Sequence, residues 1–212
     1  SIFKTSKIPE LADLKPLVSM NGSDSKSLDN MLEVLVVGGI NLFKAIKLLI
    51  PPAWKSIPDS DSDLKAFYEY NAKHMESWDG PAGIVLTDGR FAACVTDRNG
   101  LRPARYVITK DRHITVASEI GVYDYDEKDI IEKGKLGPGQ IIAVDTEEGE
   151  ILYSHDIDNI LKKRCPYKEW MDTGAESMRK IIPDKFPEVE FFDDSKVRKY
   201  EKMFNVTYEE KD

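Results

Sequence analysis

Residues 83–96 read GIVLTDGRFAACVT, two apolar runs separated by an aspartate and a glycine. Asp88 and Gly89 both tolerate a positive φ, and a two-residue loop of this type between apolar runs is a strong signal for a β-hairpin. The stretch therefore predicts antiparallel strands at residues 83–87 and 90–96.

Two more hairpins are predicted downstream of the first. Strand-like runs at residues 104–109 and 113–118 flank one short turn, and runs at 140–145 and 150–154 flank another. The stretch between these hairpins, around residues 124–127, is acidic and rich in turn-forming residues. The middle of the chain is thus predicted to be an antiparallel meander, whose strand order cannot be derived from the sequence.

Three short helices are predicted before the sheet. Ser25 or Ser27 is expected to cap the first helix, Asn41 the second, and Asp61 or Ser62 the third. The first and third helices are each expected to turn one stripe of side chains towards the core. These stripes are Leu28, Leu32, Leu35 and Val36, then Leu64, Phe67, Tyr68, Asn71 and Met75.

Helical spacing returns after residue 155. Ile157, Ile160 and Leu161 are spaced for one face of a helix, and a last amphipathic segment follows several prolines. That segment carries Val197, Tyr200, Met203 and Phe204. Short helices, then an antiparallel meander, then a helical C-terminal tail indicate the α+β class, with helices that cover the sheet.

Composition and charge exclude several functions. A formal net charge of −8 and a pI of about 5.1 argue against a nucleic-acid surface, which requires clustered Lys and Arg. We expect no membrane span, because no apolar run approaches about 18 residues, and a cytoplasmic location, because residues 1–7 lack a signal-peptide core. The two cysteines and three histidines have no metal-ligand spacing, so no metal site is expected.

Cys94 has two interpretations, a nucleophile or a structural thiol. It lies in the apolar, strand-like run of residues 91–95, with no histidine near it in sequence. A buried structural thiol is the favoured interpretation, since reactive cysteines sit in partly exposed, electropositive surroundings.

Four short segments together resemble a known family. They are NGSDS at residues 21–25, YEY at 68–70, WDGP at 78–81 and DRNGLRP at 97–103. In this order and at these spacings they resemble the later part of the class II glutamine amidotransferase (glutaminase) domain of glutamate synthases. The resemblance runs from about residue 14 to 171, and a weaker similarity continues through the tail.

Asp24 is the sharpest candidate for a functional residue. It lies just before a predicted helix, where free N–H groups and the helix dipole keep a carboxylate ionised and able to hold an ammonium. From spacing alone, the more frequent outcome is that Asp24, Ser25 and Ser27 compete to cap the helix. The resemblance implies instead that Asp24, with Gly22 and Ser23, binds the α-amino group of glutamine.

The segment at residues 97–103 also has two interpretations. Asn99 and Gly100 form a turn signal that needs no function. The resemblance implies a loop that shapes the glutaminase site through Asn99, Gly100 and Arg102. Arg102 is expected to pair with a carboxylate such as Glu119.

The resemblance also implies what this sequence lacks. Family members are N-terminal-nucleophile hydrolases of αββα layering, with a cysteine nucleophile and an upstream Asn-Gly oxyanion hole. The chain begins with Ser1, which does not match that nucleophile, and Asn21-Gly22 adjoins Ser23 too closely to be the oxyanion pair. We therefore expect an incomplete αββα fold with no catalytic residue, inactive alone. Residues 1–156 are assigned to the amidotransferase domain and 157–212 to a helical linker towards the central synthase domain.

Substrate, cofactors and partners follow from the same resemblance. L-glutamine is the expected substrate of the complete domain, and its ammonia is passed to 2-oxoglutarate. FMN and an iron–sulphur cluster are expected in other domains of the parent protein and no cofactor in this chain. Expected partners are the missing N-terminal half and the remaining synthase domains, with self-association through an exposed sheet. The alternative hypothesis is a non-catalytic interaction or regulatory module derived from the amidotransferase fold.

Overall fold

The computed structural model describes residues 16–58, 61–75, 77–119, 121–175 and 192–204. The chain divides into two compact units, Ser1–Gly174 and Ala175–Asp212. The helices of the first unit are α1 (Asp24–Val37), α2 (Leu42–Leu49), α3 (Ser62–Ala72), α4 (Ser154–Lys162) and α5 (Tyr167–Gly174), and that of the second is α6 (Asp194–Met203).

The first three helices begin at polar caps, two of which the sequence predicts. Asn41 caps α2 by accepting two backbone N–H groups of the first turn at 3.1 and 3.3 Å, and Asp61 caps α3 by accepting one at 3.1 Å. Helix α1 is capped by Ser23, whose Oγ accepts a first-turn N–H at 3.3 Å. The prediction of Ser25 or Ser27 as its cap is wrong, because both residues lie inside the helix.

The described residues form seven strands in two antiparallel sheets. The strands are β1 (Gly83–Thr87), β2 (Phe91–Thr96), β3 (Ala104–Thr109), β4 (Ile114–Ala117), β5 (Ile130–Leu136), β6 (Ile141–Asp145) and β7 (Glu150–Tyr153). Sheet 1 has the order β1-β2-β6-β7 and sheet 2 the order β4-β3-β5. All three predicted hairpins are present, as β1–β2, β3–β4 and β6–β7.

Sheet 1 lies between the helices and sheet 2. Along β2, Ala93 and Val95 are buried in the core formed with the helices, whereas Cys94 is buried in the core between the sheets. Ile142 of β6, the partner of Cys94 in the sheet register, joins the inter-sheet core. The layering is therefore helix, sheet, sheet, and the predicted α+β class is confirmed.

Strand β5 is not predicted from the sequence. Its inward positions include Glu132 and Gly134 where an apolar alternation is expected, so the strand signal is weak. The glycine is required by packing, since a Cβ at residue 134 would lie 2.5 Å from the ring of Tyr106 on the neighbouring strand.

Helix α4 confirms two of its three predicted core positions. Ile157 and Leu161 have no exposed surface, whereas Ile160 is 45% exposed, so its predicted burial is wrong. Residues 157 and 161 are one helical turn apart and point to the core together, whereas residue 160 is rotated away from it.

The compact first unit continues beyond residue 156. Both α4 and α5 belong to it, and the division between the units falls after Gly174. The assignment of residues 1–156 to a domain and 157–212 to a linker stays a prediction. In the second unit, Asp193 caps α6, and the predicted amphipathic residues Val197, Tyr200, Met203 and Phe204 are exposed.

Candidate functional site

The segment at residues 21–25 forms the tight entrance to helix α1. Ser23 Oγ accepts the N–H of Lys26 and lies 3.0 Å from Ser25 Oγ, while the N–H of Gly22 donates to the carbonyl of Ser19 at 3.2 Å. Ser23 thus provides the cap. The neighbouring Asp24 is left as the first helical residue, beside the free N–H groups of the first turn.

The Asp24 carboxylate is exposed to solvent. Within the part of the chain that the structure describes, it accepts no side-chain hydrogen bond and forms no ion pair. The positive end of the helix dipole stabilises a negative charge at this position. The carboxylate is therefore accessible to a cationic group of a ligand.

The loop at residues 97–103 is organised by the carboxylate of Asp97, which is only 2% exposed. Oδ1 accepts the backbone N–H groups of Ala82 and Arg102 at 3.1 and 3.2 Å, and Oδ2 accepts those of Asn99 and Leu101, both at 3.1 Å. Burial by itself would raise the pKa of the Asp97 carboxyl, but these four donors together lower it. The loop is thus built around a buried anion.

Gly100 has a structural reason to be glycine. Its φ is +63°, and a Cβ there would lie 3.0 Å from Pro138. The backbone N–H of Arg102 is held by Asp97, whereas its side chain is exposed. In the described residues no ion pair joins Arg102 to Glu119, so that predicted pairing is wrong.

The structure brings two of the four motifs together. Arg98 in the loop donates to the carboxylate of Asp79 in the segment at residues 78–81, and Ala82, directly after that segment, donates to Asp97. The indole of Trp78 covers Gly80, whose φ is +142°. The segment at 21–25 is not hydrogen-bonded to either motif within the described residues.

The YEY motif packs helix α3 against the C-terminal helices of the first unit. The hydroxyl of Tyr68 donates to Asp158 Oδ1 at 3.1 Å, and the ring of Tyr70 lies 5.5 and 5.2 Å from the rings of Tyr167 and Trp170. The role of this motif is therefore to join helices.

One charged residue next to these motifs, Lys47 on α2, is not predicted from the sequence. Its side chain is 1% exposed, and Nζ donates to the carbonyl of Gly139 at 3.0 Å and lies 3.8 Å from Asp158 Oδ1. A signal is present in the sequence, because Lys47 is four residues after Phe43, on the apolar face of its helix. A lysine on such a face normally indicates a buried partner.

The family of the chain follows from comparison with known sequences. A family model for class II glutamine amidotransferases matches residues 1–170. The chain belongs to the class II glutamine amidotransferases. The predicted family and its N-terminal-nucleophile hydrolase fold class are thereby confirmed.

The similar proteins are glutamate synthases. The chain is 44% identical over 163 residues to glutamate synthase (NADH) of Saccharomyces cerevisiae, a match that covers 76% of this chain and 8% of that protein. It is 37% identical to the glutamate synthase (NADPH) large chain of Bacillus subtilis and 41% identical to ferredoxin-dependent glutamate synthase 2 of Synechocystis. Each of these two matches covers 95% of this chain and 13% of the relative. This amidotransferase chain thus spans about a tenth of the length of these relatives.

Of the helices that the structure describes, none combines the length and apolar character needed to cross a membrane. The described residues also bring together no group of three or more His, Cys, Asp or Glu side chains that could hold a metal ion. The substrate role of Gly22, Ser23 and Asp24 and the shaping role of Asn99, Gly100 and Arg102 stay predictions.

Proposed function

We propose that this chain is the later part of a glutamate synthase glutaminase domain. The complete domain would hydrolyse L-glutamine to glutamate and ammonia for transfer to 2-oxoglutarate. The observation that carries this proposal is the exposed Asp24 carboxylate at the first turn of α1, without a hydrogen-bond partner among the described residues.

Asp24 is proposed to bind the α-ammonium group of glutamine. Ser23 supports this role by capping the helix itself, which leaves the neighbouring carboxylate free of that task. Gly22 lets the chain enter the helix closely, with its N–H held by Ser19. The loop with Asn99, Gly100 and Arg102 is proposed to shape the site from its Asp97-centred frame.

The chain alone is proposed to lack glutaminase activity. A nucleophilic cysteine must ionise, and burial raises the pKa of Cys94 to about 11, so its thiol is protonated at neutral pH. Cys165 is a half-buried free thiol, and no histidine is hydrogen-bonded to it among the described residues. Ser1, the other group weighed as a nucleophile, lies outside the described residues.

Cofactors and location are proposed by the same reasoning. An iron–sulphur cluster is usually held by four cysteine thiolates, and this chain has two cysteines, so its residues do not fit such a cluster. The flavin and the cluster are therefore assigned to other domains of the parent protein. A cytoplasmic location and the N-terminal half of the domain as partner complete the proposal.

The test compares Asp24→Asn with Asp29→Asn, which removes another exposed carboxylate of α1, in the complete protein. A carboxylate that binds an ammonium contributes about 1.5–3 kcal/mol, so Asp24→Asn is expected to raise the KM for glutamine about 10- to 150-fold with little change in kcat. Asp29→Asn should leave KM unchanged. The chain alone should release no ammonia from glutamine.

Two results would contradict the proposal. A loss of stability in Asp24→Asn without a change in glutamine kinetics would make Asp24 a structural residue of the helix. A complete protein without glutaminase activity would favour the interaction or regulatory module instead.

A further inference from the structure

Lys47 is a buried cation in a position where an apolar residue would fit. Phe43, four residues earlier on the same helix face, is a core residue, and the Lys47 side chain is itself 1% exposed. Burial lowers the pKa of the Lys47 ammonium, against the opposing effect of the Asp158 carboxylate. Because removal of a charge from water is costly, an apolar replacement is often as stable as a buried ion pair. The lysine therefore calls for a role other than stability.

The ammonium connects helix α2 to the loop at residues 97–103. Nζ donates to the carbonyl of Gly139 at 3.0 Å, and the N–H of Gly139 donates to the carbonyl of Asp97 at 2.8 Å. Gly139 lies close to Pro52, since its φ is +65° and a Cβ there would be 2.6 Å from that proline. A single residue thus separates the ammonium from the backbone of Asp97, whose carboxylate organises the loop.

The other side of the ammonium is held by two further helices. Asp158 of α4 lies 3.8 Å from Nζ, and the same carboxylate oxygen accepts the hydroxyl of Tyr68 from α3 at 3.1 Å. The Lys47 ammonium is therefore held in place by α3 and α4, and its hydrogen bond to the Gly139 carbonyl holds Gly139 relative to these helices.

Packing alone does not support the loop on this side. A cavity of about 220 Å³ is lined by Lys47, Tyr68 and Asn71 from the helices and by Arg98 from the loop. Side chains on opposite sides of such a gap make no van der Waals contact with each other, so direct packing between the helices and the loop is incomplete here. The Lys47–Gly139 hydrogen bond bridges the two sides.

We propose that Lys47 is a positioning residue for the glutaminase reaction, acting through Gly139 and Asp97 on the loop that carries Asn99, Gly100 and Arg102. This inference rests on the proposed function, in which that loop shapes the glutamine site. Lys47 itself touches no reacting atom.

The first test measures the loop in this chain alone, by amide hydrogen exchange. Lys47→Met removes the donor but keeps an unbranched apolar side chain, and it is expected to speed exchange of the Asn99, Leu101 and Arg102 amides about tenfold or more. The matched control is Lys44→Met on the same helix, because Lys44 donates to the hydroxyl of Tyr167 at 3.3 Å and not to the loop. Unchanged loop exchange in Lys47→Met would overturn the inference.

The second test measures glutamine kinetics in the complete protein. Lys47→Met is expected to raise the KM for glutamine about fivefold or more, whereas Lys44→Met should stay within about twofold at a comparable loss of Tm. A looser loop with unchanged KM, or equal effects of both variants on KM, would reduce Lys47 to a structural residue and overturn the proposal. Should Lys47→Met fail to fold, Lys47→Gln is subjected to the same two measurements.

The two measurements also separate this inference from the proposed function. If the unmodified complete protein releases no ammonia from glutamine, the proposed function fails and the positioning role fails with it. The exchange experiment would still show whether Lys47 holds the loop. If the unmodified protein is active but the Lys47 variants give the same loop exchange and the same KM as Lys44→Met, the inference alone fails.

Discussion

Each oxygen of the Asp97 carboxylate accepts two backbone N–H groups, so both oxygens are required. A carboxylate can serve four donors, whereas an amide offers one acceptor oxygen and one donor group. The sequence marks the segment as a turn through Asn99-Gly100 but does not show that Asp97 is its centre. That role depends on Ala82, fifteen residues earlier, and on burial under other segments.

Asp97→Asn is expected to destabilise the chain by about 3 kcal/mol, since the amide NH₂ must face two backbone donors. The matched control is Asp88→Asn in the β1–β2 turn, where a single oxygen, Oδ1, accepts both N–H groups and an asparagine retains it. That change should stay within about 0.5 kcal/mol. Urea unfolding measures both.

The pH dependence gives a second check on Asp97. Its pKa is lowered in the folded state, so its contribution is present above the unfolded value of about 4 and is lost as pH falls through the folded pKa. The difference between the unmodified chain and Asp97→Asn should therefore shrink only in acid. Equal losses in Asp97→Asn and Asp88→Asn at neutral pH would contradict the four-donor explanation.

The role of a residue can be predicted from the sequence when its hydrogen-bond partner is close to it along the chain. Asn41 and Asp61 are predicted as caps because an N-cap bonds to N–H groups two or three residues ahead. The failure at α1 is also local, since Ser23, Ser25 and Ser27 are chemically equivalent candidates and only the backbone conformation at Ser23 selects it. Lys47 was missed because its partners, Gly139 and Asp158, are about a hundred residues away.

Strand β5 joins the two sheets through one carboxylate. Glu132 Oε1 accepts the hydroxyl of Tyr106 in sheet 2, and Oε2 accepts that of Tyr153 in sheet 1, both at 2.7 Å. The three predicted hairpins need only neighbouring strands and turn residues, so the sequence shows them. Strand β5 depends on two tyrosines from other strands. Because Glu132 and Gly134 lie on its inner face, the alternating apolar pattern that would predict a strand is weak.

Tyr153→Phe removes the hydroxyl that crosses between the sheets, and Tyr106→Phe removes the matched hydroxyl within sheet 2. We expect each to lower the free energy of unfolding by about 1.5 kcal/mol, because the acceptor is a carboxylate. The variants should differ in hydrogen exchange. Tyr153→Phe should speed exchange in β7 and β5 together, whereas Tyr106→Phe should affect β3 and β5. Faster exchange in β7 of Tyr106→Phe alone would contradict the inter-sheet link.

The hydrogen bond between Tyr153 and Glu132 should also be lost at high pH. Burial, and next the hydrogen bond to Glu132, raise the pKa of Tyr153 to about 12. Because the pKa of Tyr153 is higher in the folded than in the unfolded state, its contribution to stability is fully present below the unfolded-state pKa of about 10. This contribution is lost as the pH rises towards about 12. The stability difference between the unmodified chain and Tyr153→Phe should therefore narrow above pH 10.

At the scale of the whole molecule, the described residues of the first unit form three layers, and sheet 2 does not cover all of sheet 1. Val85 of β1 pairs with Cys94 of β2, so the two side chains share the inner face of sheet 1. Cys94 is 4% exposed under sheet 2, whereas Val85 is 72% exposed. The three described strands of sheet 2 thus do not extend over β1. The sequence predicts β1 correctly but cannot show this gap, because coverage depends on the strand order.

Strand β1 is also an edge strand, paired only with β2 in the described residues. An exposed edge with an apolar residue is a template for pairing with another chain. We propose that the N-terminal half of the domain covers it in the complete protein and that two copies pair through it in the isolated chain. The expectation is a concentration-dependent dimer in sedimentation velocity.

Val85→Lys should weaken that dimer about tenfold or more, because a charge on the inner face at a strand edge opposes pairing. The matched control is Val122→Lys, which places the same charge at a valine that is 61% exposed but lies outside the strands. That variant should associate like the unmodified chain. Association through β1 would be excluded by a monomer at all concentrations, and equally by a Val122→Lys variant that dissociates as readily as Val85→Lys. In the second case net charge, and not the uncovered edge of sheet 1, would govern the assembly.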